Sequence, residues 1–115
     1  CDDEAYFKRK ISRDFVLWRE RYSSNFHIKQ LPIEVIDGYV GPGYGRATSE
    51  VFETIREVAR LEGIILDPVY TGKAFNAMLR ETRSGRLEGM SDIVFIHTGG
   101  MLGLFPQKQE LFGSG

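Results

Sequence analysis

Ile93-Val94-Phe95-Ile96-His97-Thr98-Gly99-Gly100 is the stretch whose reading sets the fold class. Four apolar residues, mostly β-branched, stand between polar and glycine residues. That is the pattern of a central parallel strand covered on both faces. The run exits into a turn able to lead into a short last helix. In open α/β sheets, ligands gather beyond the carboxyl ends of the strands. Thr98 and Gly99 are therefore candidate ligand contacts, since a hydroxyl followed by glycines suits a ring nitrogen or carboxylate needing one hydrogen bond. The same residues also make an ordinary strand-to-helix turn.

Working outward, the preceding segments read as helices. Thr71 opens one that ends before Gly85, with Ala74, Phe75, Met78 and Leu79 turned inward. Before it, Ile64-Ile65-Leu66 steps into the rigid polar loop Asp67-Pro68-Val69-Tyr70. An earlier helix is capped by Thr48 or Ser49 and stopped by Gly63. Its buried face is Val51, Ile55, Val58 and Ala59, while Glu53, Arg56, Glu57 and Arg60 face water. Leu31-Pro32-Ile33-Glu34-Val35-Ile36 is expected to end in a short strand. Residues 2 to 22 form the first helix, with Phe7, Ile11, Phe15, Trp18 and Tyr22 on one face, read as core packing. Acidic residues at its start and Arg19 and Arg21 near its end complement the helix dipole.

The order is helix, weak strand, loop, helix, helix, strand, helix: α/β, with too few strands for a self-sufficient sheet. The chain also opens on Cys1, with the acidic Asp2-Asp3-Glu4 cluster at once behind it. Both features lead us to expect truncation at the start.

At 115 residues the chain is one modest domain, and 42% hydrophobic with 27% charged residues is a globular composition. Fifteen basic against 16 acidic residues give a net charge of -1, so no nucleic-acid partner is expected. No apolar run is long enough to span a bilayer, and no membrane partner is expected. The single Cys1 has no partner for an internal disulfide, which suits a reducing, cytoplasmic setting. His27 and His97 stand at no metal spacing from any Cys or acidic residue, so no metal is expected. No Gly-x-Ser-x-Gly elbow appears.

Chemistry concentrates in three loops. Gly41-Pro42-Gly43-Tyr44-Gly45 has the freedom to hold a tyrosine hydroxyl towards a ligand, or to make a plain turn. It is a poor phosphate cradle, because Pro42 removes an amide. Asp67-Pro68-Val69-Tyr70-Thr71-Gly72-Lys73 delivers Tyr70 and Thr71 to a helix N-terminus, where amides favour anions. The plainer reading makes Thr71 an N-cap and Lys73 a solvated charge, and for Lys73 the plainer reading is preferred. Thr98-Gly99-Gly100 is the third.

Three segments together resemble, in order, the C-terminal motifs of one family: Asp37-Gly38-Tyr39-Val40-Gly41-Pro42-Gly43-Tyr44-Gly45, Leu66-Asp67-Pro68-Val69-Tyr70-Thr71-Gly72-Lys73-Ala74 and Phe95-Ile96-His97-Thr98-Gly99-Gly100. It is the D-cysteine desulfhydrase and 1-aminocyclopropane-1-carboxylate deaminase family of pyridoxal 5'-phosphate (PLP) enzymes. The resemblance runs over nearly the whole chain. It implies the C-terminal portion, residues 1–115, of an enzyme on the tryptophan synthase β-like fold (fold type II), an incomplete parallel sheet flanked by helices. Tyr44 and Tyr70 resemble the two active-site tyrosines that flank the substrate. Thr98, followed by Gly99, resembles the residue that hydrogen-bonds the PLP pyridine nitrogen. Thr71 stands where deaminases are expected to place Glu. A carboxylate beside that nitrogen deepens the electron sink, and a threonine hydroxyl does not.

The resemblance therefore favours D-cysteine desulfhydration, the β-elimination of D-cysteine to pyruvate, hydrogen sulfide and ammonia, over cyclopropane-ring opening. The lysine that carries PLP and the phosphate loop are expected upstream of this chain, which alone should be inactive. The parent is expected to be a homodimer acting on a small amino acid. The alternatives are the deaminase itself and a non-catalytic α/β module that binds ligands through its glycine-rich loops.

Overall fold

The computed structural model describes residues 3–22 and 31–112. The readings placed on Cys1, Asp2 and His27 fall outside these residues. The chain divides into two compact units, Cys1–Gly38 and Tyr39–Gly115.

In the first unit, helix α1 spans Glu4–Tyr22 with Glu4 in its first turn and Arg19 and Arg21 in its last. The Asp3 carboxylate accepts the Tyr6 amide at 2.7 Å and so caps the helix. Exposed i,i+4 pairs, Glu4–Lys8 and Lys10–Asp14, line its surface. Phe15 and Trp18 stack with ring centroids 6.0 Å apart. The aromatic stripe was expected to be core, but no residue of α1 is buried. Among the described residues of 31–38 no strand forms; the Ile33 amide closes a three-residue turn on the Leu31 carbonyl at 3.0 Å.

The second unit holds the core. Helix α2, Ser49–Glu62, begins at Thr48, whose hydroxyl accepts the Val51 amide, and ends at left-handed Gly63, whose amide reaches the Ala59 carbonyl. Its strongly amphipathic pattern buries Val51, Phe52, Ile55 and Val58. Helix α3, Thr71–Arg83, packs against it. Leu66 and Leu111 complete the buried cluster, and Ala47, Phe75, Phe95 and Leu104 pack around it. A 3-10 helix, Met101–Gln107, leads into the short α4, Lys108–Phe112. Arg56 ties α4 back to α2 by donating to the Leu111 carbonyl at 3.0 Å.

Two expectations change. The inner face of α3 is polar: Thr71, Gly72, Lys73, Asn76 and Glu81 are buried, while Phe75, Met78 and Leu79 are half-buried and Ala74 is exposed. Asn76 is satisfied by donating to Thr54 on α2 at 3.0 Å, so a buried polar pair joins the helices. The run at 93–96 forms no strand among the described residues. Phe95 alone turns in, meeting Phe75 edge to face at 5.0 Å, whereas Val94 and Ile96 are 85% and 77% exposed. A strand is stable only when neighbours complete its ladder of hydrogen bonds, and none lies beside this one among the described residues. The expected sheet is therefore absent from the described residues.

Candidate active site

The hub of the site is the turn from Asp67 to Thr71. Its charge acceptor is the Asp67 carboxylate, fully buried. One oxygen accepts the amides of Val69 and Tyr70, both at 2.8 Å, and the other accepts the Thr71 amide at 2.8 Å and the Thr71 hydroxyl at 2.5 Å. The Thr71 hydroxyl in turn accepts the Asp67 amide at 2.8 Å. Burial alone would raise the Asp67 carboxyl. These bonds from Thr71, Tyr70 and Val69 outweigh it and hold the group below the usual carboxylate range.

The α3 N-terminus, expected as an anion site, thus already holds an anion of its own chain. Thr71 is not its cap but its first helical residue, buried, with its hydroxyl committed to Asp67. The residue missed in the sequence is Asp67. An Asp followed at the second, third and fourth positions by amides it caps was the available signal.

Two further loops close on this hub. From the 39–45 loop, Tyr44 lays its ring edge-to-face on Tyr70, and the Tyr70 hydroxyl donates to the Tyr44 hydroxyl at 3.2 Å. Both rings are open to solvent, Tyr44 at 81% and Tyr70 at 58% exposure. The Tyr44 hydroxyl, aided by a smaller desolvation effect, raises Tyr70 above the ordinary phenol range. From the 97–103 loop, His97 bridges to the Ile65 carbonyl through Nε2 at 2.9 Å and accepts the Gly99 amide on Nδ1 at 3.0 Å. With Nδ1 accepting, Nε2 is the ring nitrogen that donates to the Ile65 carbonyl. Gly100 lies so close that a Cβ there would sit 2.8 Å from the Asp67 carboxylate, and its φ of +95° suits only glycine.

The three loops selected from sequence are therefore brought together, with Tyr44 and Tyr70 in direct contact. Thr98 and Gly99 stand exposed on the neighbouring turn, and the Thr98 hydroxyl makes no hydrogen bond among the described residues. Lys73 corrects the expectation of a solvated charge. It is only 8% exposed, and its ammonium donates to the carbonyls of Val40 at 2.6 Å and Gly43 at 3.0 Å. Burial pushes it below the ordinary lysine range, against a partial upward pull from Asp67.

This arrangement brings the Tyr44 and Tyr70 hydroxyls together from separate loops, with the nearby carboxylate already consumed. Such a donor set fits a ring with one acceptor nitrogen and a small polar substrate. It fits poorly a hard cation, which asks for free carboxylates, and no cluster of metal-ligating side chains occurs among the described residues.

Comparison with known proteins supplies the class, that of PLP enzymes. The family described as "Pyridoxal-phosphate dependent enzyme" matches residues 18–99, which include Tyr44, Tyr70, Thr71, Thr98 and Gly99. The chain belongs to that family, which depends on PLP and implies the tryptophan synthase β-like fold. A Thermotoga maritima protein named "Putative 1-aminocyclopropane-1-carboxylate deaminase" is 43% identical over 106 residues, covering 92% of this chain and 32% of the relative. A Pyrococcus furiosus protein of the same name is 53% identical over 76 residues, 66% of this chain and 22% of the relative. The chain thus spans a third or less of the length of these relatives.

Proposed function

We propose that this chain is the C-terminal portion of a PLP-dependent lyase acting on a small amino acid. The names of the Thermotoga and Pyrococcus relatives favour 1-aminocyclopropane-1-carboxylate as the substrate. The observation that carries the reading is the Tyr44–Tyr70 hydroxyl pair at 3.2 Å, delivered by two loops and left open to solvent. Exposed phenols contribute little to a core, and their convergence is better explained by a ligand.

When bound, PLP supplies the electron sink for a bond broken at the substrate α-carbon. The chain's own residues then divide the work. Tyr70 keeps its proton through the neutral range and gives the hydrogen bond to the Tyr44 oxygen. That leaves the Tyr44 O–H to donate outward to a substrate group. The Thr98 hydroxyl is the donor assigned to the pyridine nitrogen. It is neutral, so it orients the ring without charging it. Lys73 is not assigned as the lysine that carries the cofactor, because its ammonium is held by Val40 and Gly43. That lysine and the phosphate loop are assigned to polypeptide outside this chain.

D-Cysteine desulfhydration is the second reading, and Thr71 favours it. Position 71 supplies no carboxylate, and its hydroxyl is bound to Asp67. A weaker electron sink suffices to expel sulfide, a good leaving group, whereas opening a carbon ring asks for more.

The test is to load the full-length protein with PLP and offer both substrates. Ammonia released from 1-aminocyclopropane-1-carboxylate supports the first reading, and sulfide released from D-cysteine supports the second. Turnover of neither refutes the lyase reading and leaves a non-catalytic module, and full kcat/KM in Tyr44→Phe removes the tyrosine pair from the site.

A further inference from the structure

The loop that presents Tyr44 has little structure of its own. Within residues 39–46 the backbone–backbone hydrogen bond described is Arg46 N–H to the Gly43 carbonyl, at a long 3.3 Å. Pro42 has no amide to give, and the glycines around it impose few conformational limits. Yet the Tyr44 hydroxyl sits within bonding distance of Tyr70. Something outside the loop must fix its backbone. Tyr39 secures one end by donating to Glu81 at 2.5 Å near the far end of α3. At the centre, among the described residues, the backbone carbonyls are held by Lys73, whose ammonium takes those on either side of the Gly41-Pro42 tip.

We propose that Lys73 is a positioning residue for the tyrosine pair: its buried ammonium fixes the Gly41–Gly45 loop through the Val40 and Gly43 carbonyls and so sets where the Tyr44 hydroxyl meets Tyr70. The proposal rests on the reading that Tyr44 and Tyr70 face the substrate. Stability is a poor alternative explanation for the lysine. Its surroundings disfavour the charged form, and an apolar side chain of similar length would fill the space without that penalty. What an apolar chain cannot do is bind two carbonyls. A lysine has three N–H donors on a stem long enough to reach from α3 to the loop.

The test uses the full-length, PLP-loaded enzyme in four forms: parent, Lys73→Met, Tyr44→Phe and the double variant. The proposal expects Lys73→Met to keep its cofactor and its melting temperature while losing about tenfold or more in kcat/KM, as a displaced contact group does. It expects the double variant to lose no more than Tyr44→Phe alone, because Lys73 acts through Tyr44. A readout independent of turnover is NMR titration of tyrosine labelled at Cζ. Tyr70 should titrate lower in Lys73→Met, as in Tyr44→Phe, because in both it loses the Tyr44 partner.

An equal fold-loss from Lys73→Met in both backgrounds, or an unmoved Tyr70 titration, overturns the positioning role. A silent Tyr44→Phe instead overturns the site reading beneath it. Should Lys73→Met fail to fold, Lys73→Gln keeps a shorter amide donor and takes its place. Failure of both to fold overturns the proposal by showing a stability role.

Discussion

Gly72→Ala sets helix propensity against packing, and the geometry decides which wins. Within a helix, alanine is favoured over glycine by roughly 1 kcal/mol. At Gly72, however, a Cβ would stand 2.6 Å from the Asp67 carbonyl oxygen and 2.8 and 2.9 Å from Cδ1 and Cγ1 of Ile55. Ile55 is among the most buried side chains of the unit, so it has nowhere to turn, and overpacking of this kind costs about 1–3 kcal/mol. The oxygen is backbone and accepts the Gly72 amide at 2.7 Å. Moving it away loosens a bond worth roughly 1 kcal/mol and disturbs the amides aimed at the Asp67 carboxylate. The sum is a net loss of about 1–3 kcal/mol, after the propensity gain is subtracted. Gly63→Ala is the control. No atom lies within 4 Å of its Cβ, but its φ is +68°, so backbone strain alone should cost about 1 kcal/mol. Urea unfolding of both variants and the parent should therefore rank Gly72→Ala below Gly63→Ala, and both below the parent. A Gly72→Ala protein as stable as the parent would refute the close approach of α3 to α2.

Asp67→Asn should destabilise the fold by about 2–4 kcal/mol at neutral pH, since the amides and hydroxyl of the turn lose an ionised acceptor. Because the folded carboxyl titrates below its unfolded value, the stability it confers is intact above about pH 4 and is lost as pH falls through the lowered folded value; unfolding followed against pH should show a flatter acid limb in the variant. Tyr44→Phe should bring the Tyr70 phenol down towards its ordinary value, because the first cause of its elevation is the Tyr44 hydroxyl; ultraviolet titration of phenolate reads this directly. Thr98→Val should weaken PLP retention by the full-length protein several-fold, the worth of about one hydrogen bond, and unchanged retention would remove Thr98 from the cofactor site.

What was legible in the sequence was local. Thr48 and Gly63 bound α2 as their chemistry requires, and the three loops chosen for their residue types are the ones that meet. The errors fall where the partner is distant along the chain. Periodicity gave α3 an apolar inner face of Ala74, Phe75, Met78 and Leu79, but Lys73 is buried because the Val40 and Gly43 carbonyls accept its hydrogen bonds across 33 and 30 residues. Asn76 is buried because Thr54 accepts from it across 22. No window of one helix's length contains those partners. Asp67 is a different kind of miss. Its partners are two to four residues away, and Thr71 has the residue type of a cap although the aspartate ahead of it is the stronger acceptor. The run at 93–96 marks another boundary. Its β-branched residues say that it is able to be a strand, but a ladder is a property of two segments, and the sequence of one cannot provide it.

Tyr44, Tyr70 and Thr98 sit on three loops, which by themselves are the least rigid parts of a fold. Here each loop is tied to α3 or to the turn that starts it. Lys73 takes the first, the Asp67 carboxylate organises the second, and the close seating of Gly100 on that carboxylate brings in the third. Polar burial at the start of α3 therefore does the work that apolar packing does elsewhere in this unit. The consequence is a separation of roles along one short segment. Asp67, Thr71, Gly72 and Lys73 face inward and fix positions, while Tyr70, between them, faces outward with its hydroxyl to Tyr44. Substitutions at the inward residues should disturb geometry before chemistry, and those at Tyr70 chemistry before geometry.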